Sequence, residues 1–191
     1  MVHELEVWLF ADRVGTLALV DGRLSFRYAP GWLSRPDALA LSASLPLQAE
    51  PFDDRTSRPF FAGLLPEGQM RRLIAQRFQV SGQNDFALLD HIGGECAGAV
   101  SFLEPGQALR TSAQGDDVQW LSDEEVVALL DELPRRPMLA GRDGLRLSLA
   151  GAQDKLPVVF DGERIGLPLE GAPSSHILKP AIVAVEDSVI N

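Results

Sequence analysis

A chain of 191 residues suits one mid-sized domain or two small ones, and its 46% apolar and 23% charged residues exclude disorder as the default state. No apolar run approaches the ~18 residues needed to span a bilayer, and Met1-Val2-His3-Glu4 lacks the basic and apolar stretches of a signal peptide. The net charge of −10 argues against this segment gripping DNA by itself, and the single cysteine, Cys96, leaves no internal disulfide, so the cytoplasm is the expected compartment.

Residues 4–10 have strand composition and partly alternate, and Asp12 to Gly15 reads as a turn. Thr16–Val20 is a second strand and Arg23–Tyr28 a third. Asp21-Gly22 between them is a tight-turn signal, because both central residues of such a turn need positive φ. Pro30, Pro36, Pro46 and Pro51 then mark an irregular connection. Pro59 suits a first helical position, with Phe60, Phe61, Leu64 and Leu65 on one face before Pro66. Met70, Leu73, Ile74 and Phe78 continue at helical spacing. Asn84 can cap a short helix carrying Phe86, Leu88, Leu89 and Ile92, which Gly93-Gly94 stops. Ala97–Leu103 returns to strand.

Residues 104–117 read as a polar loop. Ser122 and Glu125 have the spacing of a capping box, with Leu121 placed to staple onto Val126, for a helix that runs to about Leu133 and ends at Pro134 and Pro137. Residues 104–132 hold eight acids against Arg110 alone. A solvated helix face accounts for this plainly; a surface for a basic partner is the sharper reading. A subdomain boundary is expected between Pro134 and Asp143. Short strands follow at Leu145–Leu149, Pro157–Phe160, Arg164–Leu167 and His176–Lys179, with Asp161-Gly162 joining the second and third of them. The pattern is α+β: a small N-terminal antiparallel meander, a helical middle and a second small sheet.

Chemistry concentrates in Ser148-Leu-Ala-Gly-Ala-Gln-Asp-Lys155, a loop between two expected strands. Small residues let backbone N–H groups approach a phosphate closely, and Lys155 adds positive charge. The loop is not a Walker A motif, since the required Gly-Lys-Ser/Thr spacing is absent. Lys179 ends a strand one hairpin later. A small-residue loop over the phosphates followed by a strand lysine is how a kinase N-lobe is built. An ordinary hairpin and a solvated lysine remain the alternative. His3, His91 and His176 have no metal-ligand spacing, Cys96 reads as a small buried side chain, and Glu67 and Glu95 have no evident acid–base partner. Trp8, Trp32 and Trp120 read as packing residues.

Four stretches together resemble the HipA-family toxin kinases. They are Phe26-Arg-Tyr-Ala-Pro-Gly-Trp32; Leu41-Ser-Ala-Ser-Leu-Pro-Leu47 with Phe60-Phe-Ala-Gly-Leu-Leu-Pro66; Ile92-Gly-Gly-Glu-Cys-Ala-Gly-Ala-Val100; and Leu147-Ser-Leu-Ala-Gly-Ala-Gln-Asp-Lys155 with His176-Ile-Leu-Lys179. The resemblance implies residues 1–104 as the N-terminal subdomain, 105–140 as an acidic loop and helix connector, and 141–191 as the start of a kinase-like N-lobe. It implies that Ala150, Gly151, Ala152, Gln153, Asp154 and Lys155 contact ATP phosphates, that Lys179 contacts nucleotide, and that Ser148 is an autophosphorylation site that switches the kinase off. It further implies ATP and Mg²⁺ in the complete kinase, with weak or no binding by this piece. Glutamyl-tRNA synthetase is the implied target, with dormancy as the outcome. A helix-turn-helix antitoxin of HipB type is the implied partner, and DNA is reached only through it.

Family members continue past the position of Val189-Ile190-Asn191 into a catalytic lobe. The catalytic-loop and magnesium-binding aspartates lie there, so this chain alone is expected to be inert. An ending just inside an expected element points to an engineered or proteolytic piece rather than a natural short product. The alternative is a stand-alone interaction module, similar to an antitoxin, that binds a separate kinase chain.

Overall fold

A computed structural model describes residues 3–96, 100–107, 118–142, 145, 147–151, 153–169 and 172–180. Strands β1 (His3–Leu9), β2 (Asp12–Val20) and β3 (Arg23–Tyr28) form the expected meander. After the short helix α1 (Pro30–Leu33) come α2 (Asp54–Ala62), α3 (Gly68–Arg77) and α4 (Asp85–Ile92). Strand β4 (Glu95–Cys96) is two residues long, and β5 (Val100–Leu103) closes a four-stranded antiparallel sheet in the order β3-β2-β1-β5. Strand β6 (Val118–Trp120) and helix α5 (Asp123–Glu132) lead to a 3-10 turn at Pro137–Leu139. Then follow β7 (Leu147–Ser148), β8 (Leu156–Phe160), β9 (Ile165–Pro168) and β10 (His176–Leu178). A second antiparallel sheet has the order β10-β8-β9-β6, and β4 pairs with β7 in parallel. The architecture is α+β, as the sequence pattern requires.

Alternation on β3 explains the first core. Leu24, Phe26 and Tyr28 are buried on one face, where Phe26 meets Tyr28 at 4.8 Å and Phe61 of α2 at 5.3 Å between ring centroids. Each such ring removed from water contributes about 2–3 kcal/mol. The Tyr28 hydroxyl donates to the carbonyl of Leu45 at 2.6 Å and accepts from the Leu41 N–H, which fixes the irregular connection under the sheet. The free edge of β3 is covered where Phe52 exchanges two main-chain hydrogen bonds with Phe26. The second core gathers Leu156 and Val158 of β8 and Leu167 of β9. They pack with Leu129 of α5, Leu133, Met138, Leu139 and Met70 of α3.

Several local expectations hold. Asp21 and Gly22 adopt φ of 49° and 77° in the turn between β2 and β3. Asn84 caps α4 by accepting from the Ala87 N–H at 3.1 Å. Ser122 and Glu125 form both bonds of the capping box, at 3.3 and 2.8 Å.

Others need correction. Asp12–Gly15 is strand, not turn: the reversal is at Phe10-Ala11, with Phe10 at φ 53°, and a register shift between Val7 and Trp8 lets Asp12 and Arg13 join the ladder. Gly15 serves close packing there, because a Cβ would lie 2.6 Å from the Phe26 ring and 2.4 Å from the Arg27 carbonyl. Helix α2 begins at Asp54, not Pro59. Asp53 caps it by accepting from the Thr56 N–H at 3.0 Å, and Pro59 lies inside the helix. Among the described residues of Leu145–Leu149, only Leu147-Ser148 is strand, paired in parallel with Glu95–Cys96. Residues 97–99 of the expected strand Ala97–Leu103, and 108–117 of the expected loop, lie outside the described residues.

Candidate phosphate-loop site

The loop from Leu149 to Lys155 passes from β7, paired to β4, into β8 of the second sheet. It is therefore not the tip of a hairpin: β7 and β8 belong to different sheets. Among the described residues, four contacts hold it. The Leu149 N–H donates to the Met138 sulfur at 3.4 Å. Pro66 and Gly151 form an isolated parallel bridge, in which the Glu67 N–H donates to the Gly151 carbonyl at 3.2 Å. The Lys155 ammonium donates to the carbonyl of Ala150. The Gln153 side-chain amide donates to the carbonyl of Pro180 at 3.4 Å.

That last contact joins the loop to the segment carrying Lys179. The fold thus brings Ala150, Gly151, Gln153, Asp154, Lys155 and Lys179 to one place, although 24 positions separate the two lysines in sequence. Ala152 lies outside the described residues, and Ser148 is placed by its backbone, in register with Cys96. Gly151 has φ 105°, a conformation that favours glycine, and a Cβ there would lie 2.9 Å from the Lys155 nitrogen. The Lys155 ammonium is held below the usual lysine range, chiefly by burial and further by the charge of Lys179; Glu67 opposes both. Two cations and a carboxylate therefore share one electrostatic neighbourhood. An anion placed between the lysines would relieve their mutual repulsion.

The main-chain contact between Glu67 and Gly151 is what reading the sequence missed. The sequence gives Glu67 no partner, because the contact spans 84 positions from Glu67 to Gly151. The one pointer is its place immediately after Phe60-Phe-Ala-Gly-Leu-Leu-Pro66.

The other polar candidates have structural surroundings. Cys96 is buried in the first core. His91 stacks on Phe78 with centroids 4.5 Å apart, and His176 meets the edge of Phe160. Among the described residues no three His, Cys, Asp or Glu side chains gather as a metal-binding group. The Trp32 indole donates to the Leu39 carbonyl, and Arg164 lies over the ring of Trp120. A cavity of about 450 Å³ lined by His3, Glu4, Phe86, Asp90 and Glu104 contains no residue of the loop. No helix among the described residues is long and apolar enough to cross a membrane.

An α+β chain whose second sheet is preceded by a pinned, glycine-bearing loop, joined through Gln153 to the segment that carries Lys179, belongs with proteins built like the N-terminal region of a toxin kinase. A family model described as the HipA N-terminal domain matches residues 5–103. "Putative kinase Y4mE" of Sinorhizobium fredii is 47% identical over 184 residues, spanning 95% of this chain and 44% of that protein. "Serine/threonine-protein kinase toxin HipA" of Shewanella oneidensis is 29% identical over 170 residues, spanning 84% of this chain and 38% of that protein. A solved structure of the Shewanella oneidensis MR-1 toxin–antitoxin system HipA, HipB and its operator DNA complex superposes with a TM-score of 0.70 at 27% identity. The match covers 91% of this chain and 39% of that one. This chain belongs to the HipA family, and it spans less than half the length of these relatives.

Proposed function

We propose that this chain forms the N-terminal part of a cytoplasmic HipA-type serine/threonine kinase, in which the loop Ala150–Lys155 and Lys179 receive the phosphates of ATP. The observation that carries the reading is the meeting of the pinned loop and the Lys179 segment, joined by Gln153 and Pro180, with Lys155 and Lys179 in electrostatic contact. Phosphoryl transfer depends on positioning and charge neutralisation, and two cations at a small-residue loop supply part of both. Mg²⁺ and the acidic groups that hold it are assigned to the portion of the longer relatives that this chain does not cover. The target is a translation enzyme, glutamyl-tRNA synthetase by resemblance, with dormancy, or persistence, as the outcome. The partner is a helix-turn-helix antitoxin that brings the pair to DNA; a net charge of −10 fits indirect contact.

Radiolabelled ATP and nuclear magnetic resonance on the purified 191-residue chain test this reading. No phosphotransfer is expected, and ATP at millimolar concentration is expected to shift the signals of Ala150–Lys155 and Lys179. Appreciable phosphotransfer would refute the inertness of this chain. Shifts confined to other residues, or none at all, would refute the loop as the phosphate site.

A further inference from the structure

We propose that Lys155 is an internal strut of the phosphate loop, holding the Ala150 carbonyl across the face of Gly151, and that an anion binds by drawing this ammonium away from the carbonyl. The trade of partners rests on the reading of the loop as a phosphate site; the strut does not.

Two distances place the strut. The Lys155 ammonium donates to the carbonyl of Ala150, five positions back in the chain. The same nitrogen lies 2.9 Å from where a Cβ on Gly151 would stand. The side chain that closes the loop therefore occupies the space that a side chain at position 151 would need. Glycine leaves that space open, and its φ of 105° independently favours glycine. The loop around the strut is held from outside. The Gly151 carbonyl accepts from the Glu67 N–H at 3.2 Å, and the Gln153 amide donates to the Pro180 carbonyl at 3.4 Å. The part best able to move is the flexible lysine stem, whose ammonium can turn from one acceptor to another. A carbonyl oxygen offers that ammonium a partial charge, and a phosphate oxygen offers a full one, so the phosphate is the stronger partner. Burial disfavours the charge on Lys155, and the like charge of Lys179 adds to this, which a neutral carbonyl offsets less well than an anion.

The test uses the 191-residue chain, with inorganic tripolyphosphate as the probe. In the unmodified chain a nuclear Overhauser contact is expected between the Lys155 ε-methylene protons and the Gly151 α protons. Saturating tripolyphosphate is expected to abolish that contact while shifting the Lys155 and loop signals. Lys155→Met removes the ammonium and keeps an unbranched apolar stem. In it the Glu67 amide, which the Gly151 carbonyl holds, is expected to exchange with solvent roughly tenfold faster. A Lys155 that only waited in solvent for its ligand would give neither result. No contact in the unmodified chain, or an unchanged Glu67 amide in Lys155→Met, overturns the strut. A contact that survives saturation while the loop signals shift overturns the trade of partners. If tripolyphosphate shifts no loop signal, the phosphate reading of the loop fails and the trade fails with it, while the Lys155–Gly151 contact still decides the strut.

Discussion

Asp85 is a buried carboxylate held between two arginines on different helices. Arg58 of α2 reaches one of its oxygens at 2.7 Å, and Arg71 of α3 takes the other. The same Arg58 pairs with Asp54 and donates to the Gly22 carbonyl, and Arg71 donates to the Gly82 carbonyl. Asp54 in turn accepts from the Leu24 N–H, and Arg58 holds its carboxyl below the usual range. One network therefore ties the β2–β3 turn to three helices. Its members need the planar, multi-donor arginine fork, which a lysine cannot replace. Removing the shared carboxylate takes from two partly buried guanidinium groups the acceptor they have in common and leaves Arg71 with the Gly82 carbonyl. Asp85→Ala is expected to destabilise the fold by about 3 kcal/mol, measured by urea denaturation. Arg58→Ala, at a more exposed partner, is expected to cost less. A cost for Asp85→Ala below about 1 kcal/mol, the range of surface pairs, would show that the network is not structural.

At the scale of elements, the loop from β7 to β8 is anchored to both halves of the chain. β7 adds to β4, and Gly151 bridges to Pro66. Ser148 ends β7 and stands three residues before Gly151. A phosphate there would add roughly −1.5 to −2 charge and three acceptor oxygens close to where the ATP phosphates are proposed to lie. In a protein carrying this chain together with the proposed catalytic portion, Ser148→Asp is expected to lose most ATP affinity by calorimetry. Ser148→Ala is expected to keep ATP binding and lose self-inactivation. Equal ATP affinity in Ser148→Asp and the unmodified protein would leave Ser148 as a strand residue only. Which elements the sequence reveals follows from the range of the interactions that make them. The caps at Asn84 and Ser122 and the Asp21-Gly22 turn act within four residues and are legible. The start of α2 was obscured because Pro59 imitates a first helical position while the true cap, Asp53, lies six residues earlier. β6 is three half-buried residues that become a strand only by pairing with β9. The parallel partner of β7 and the contact of the Glu67 N–H with Gly151 depend on distant segments, so neither leaves a local pattern. The loop and both lysines could be picked out as a pair; what pins them could not.

Across the whole molecule, the two cores meet at α3. Ile74 and Ala75 pack into the core under the first sheet, while Met70, one turn earlier, packs into the core of the second. The segment from Met138 to Ala140 repeats the arrangement: Met138 and Leu139 belong to the second core and Ala140 to the first. Met138 and Leu139 also adopt φ of 52° and 53°, uncommon for residues with side chains, which surrounding contacts must offset. With two elements shared, disorder in one core removes a wall of the other, so the sheets should lose structure together rather than in turn. Met70→Ala tests this, because it opens a cavity only on the second-core side of α3. The substitution is expected to cost roughly 2–5 kcal/mol. Hydrogen exchange is then expected to speed up by a comparable factor at the slowest amides of β1–β2 and of β8–β9. The two sheets would share one global opening. Faster exchange confined to β8–β9, with β1–β2 unchanged, would mean that each core opens by itself and that α3 does not couple them. In that event the N-terminal sheet could not transmit the effect of a bound partner to the phosphate loop through α3. The Met138–Ala140 segment, the Pro66–Gly151 bridge and the β4–β7 pair would then be the routes left among the described residues.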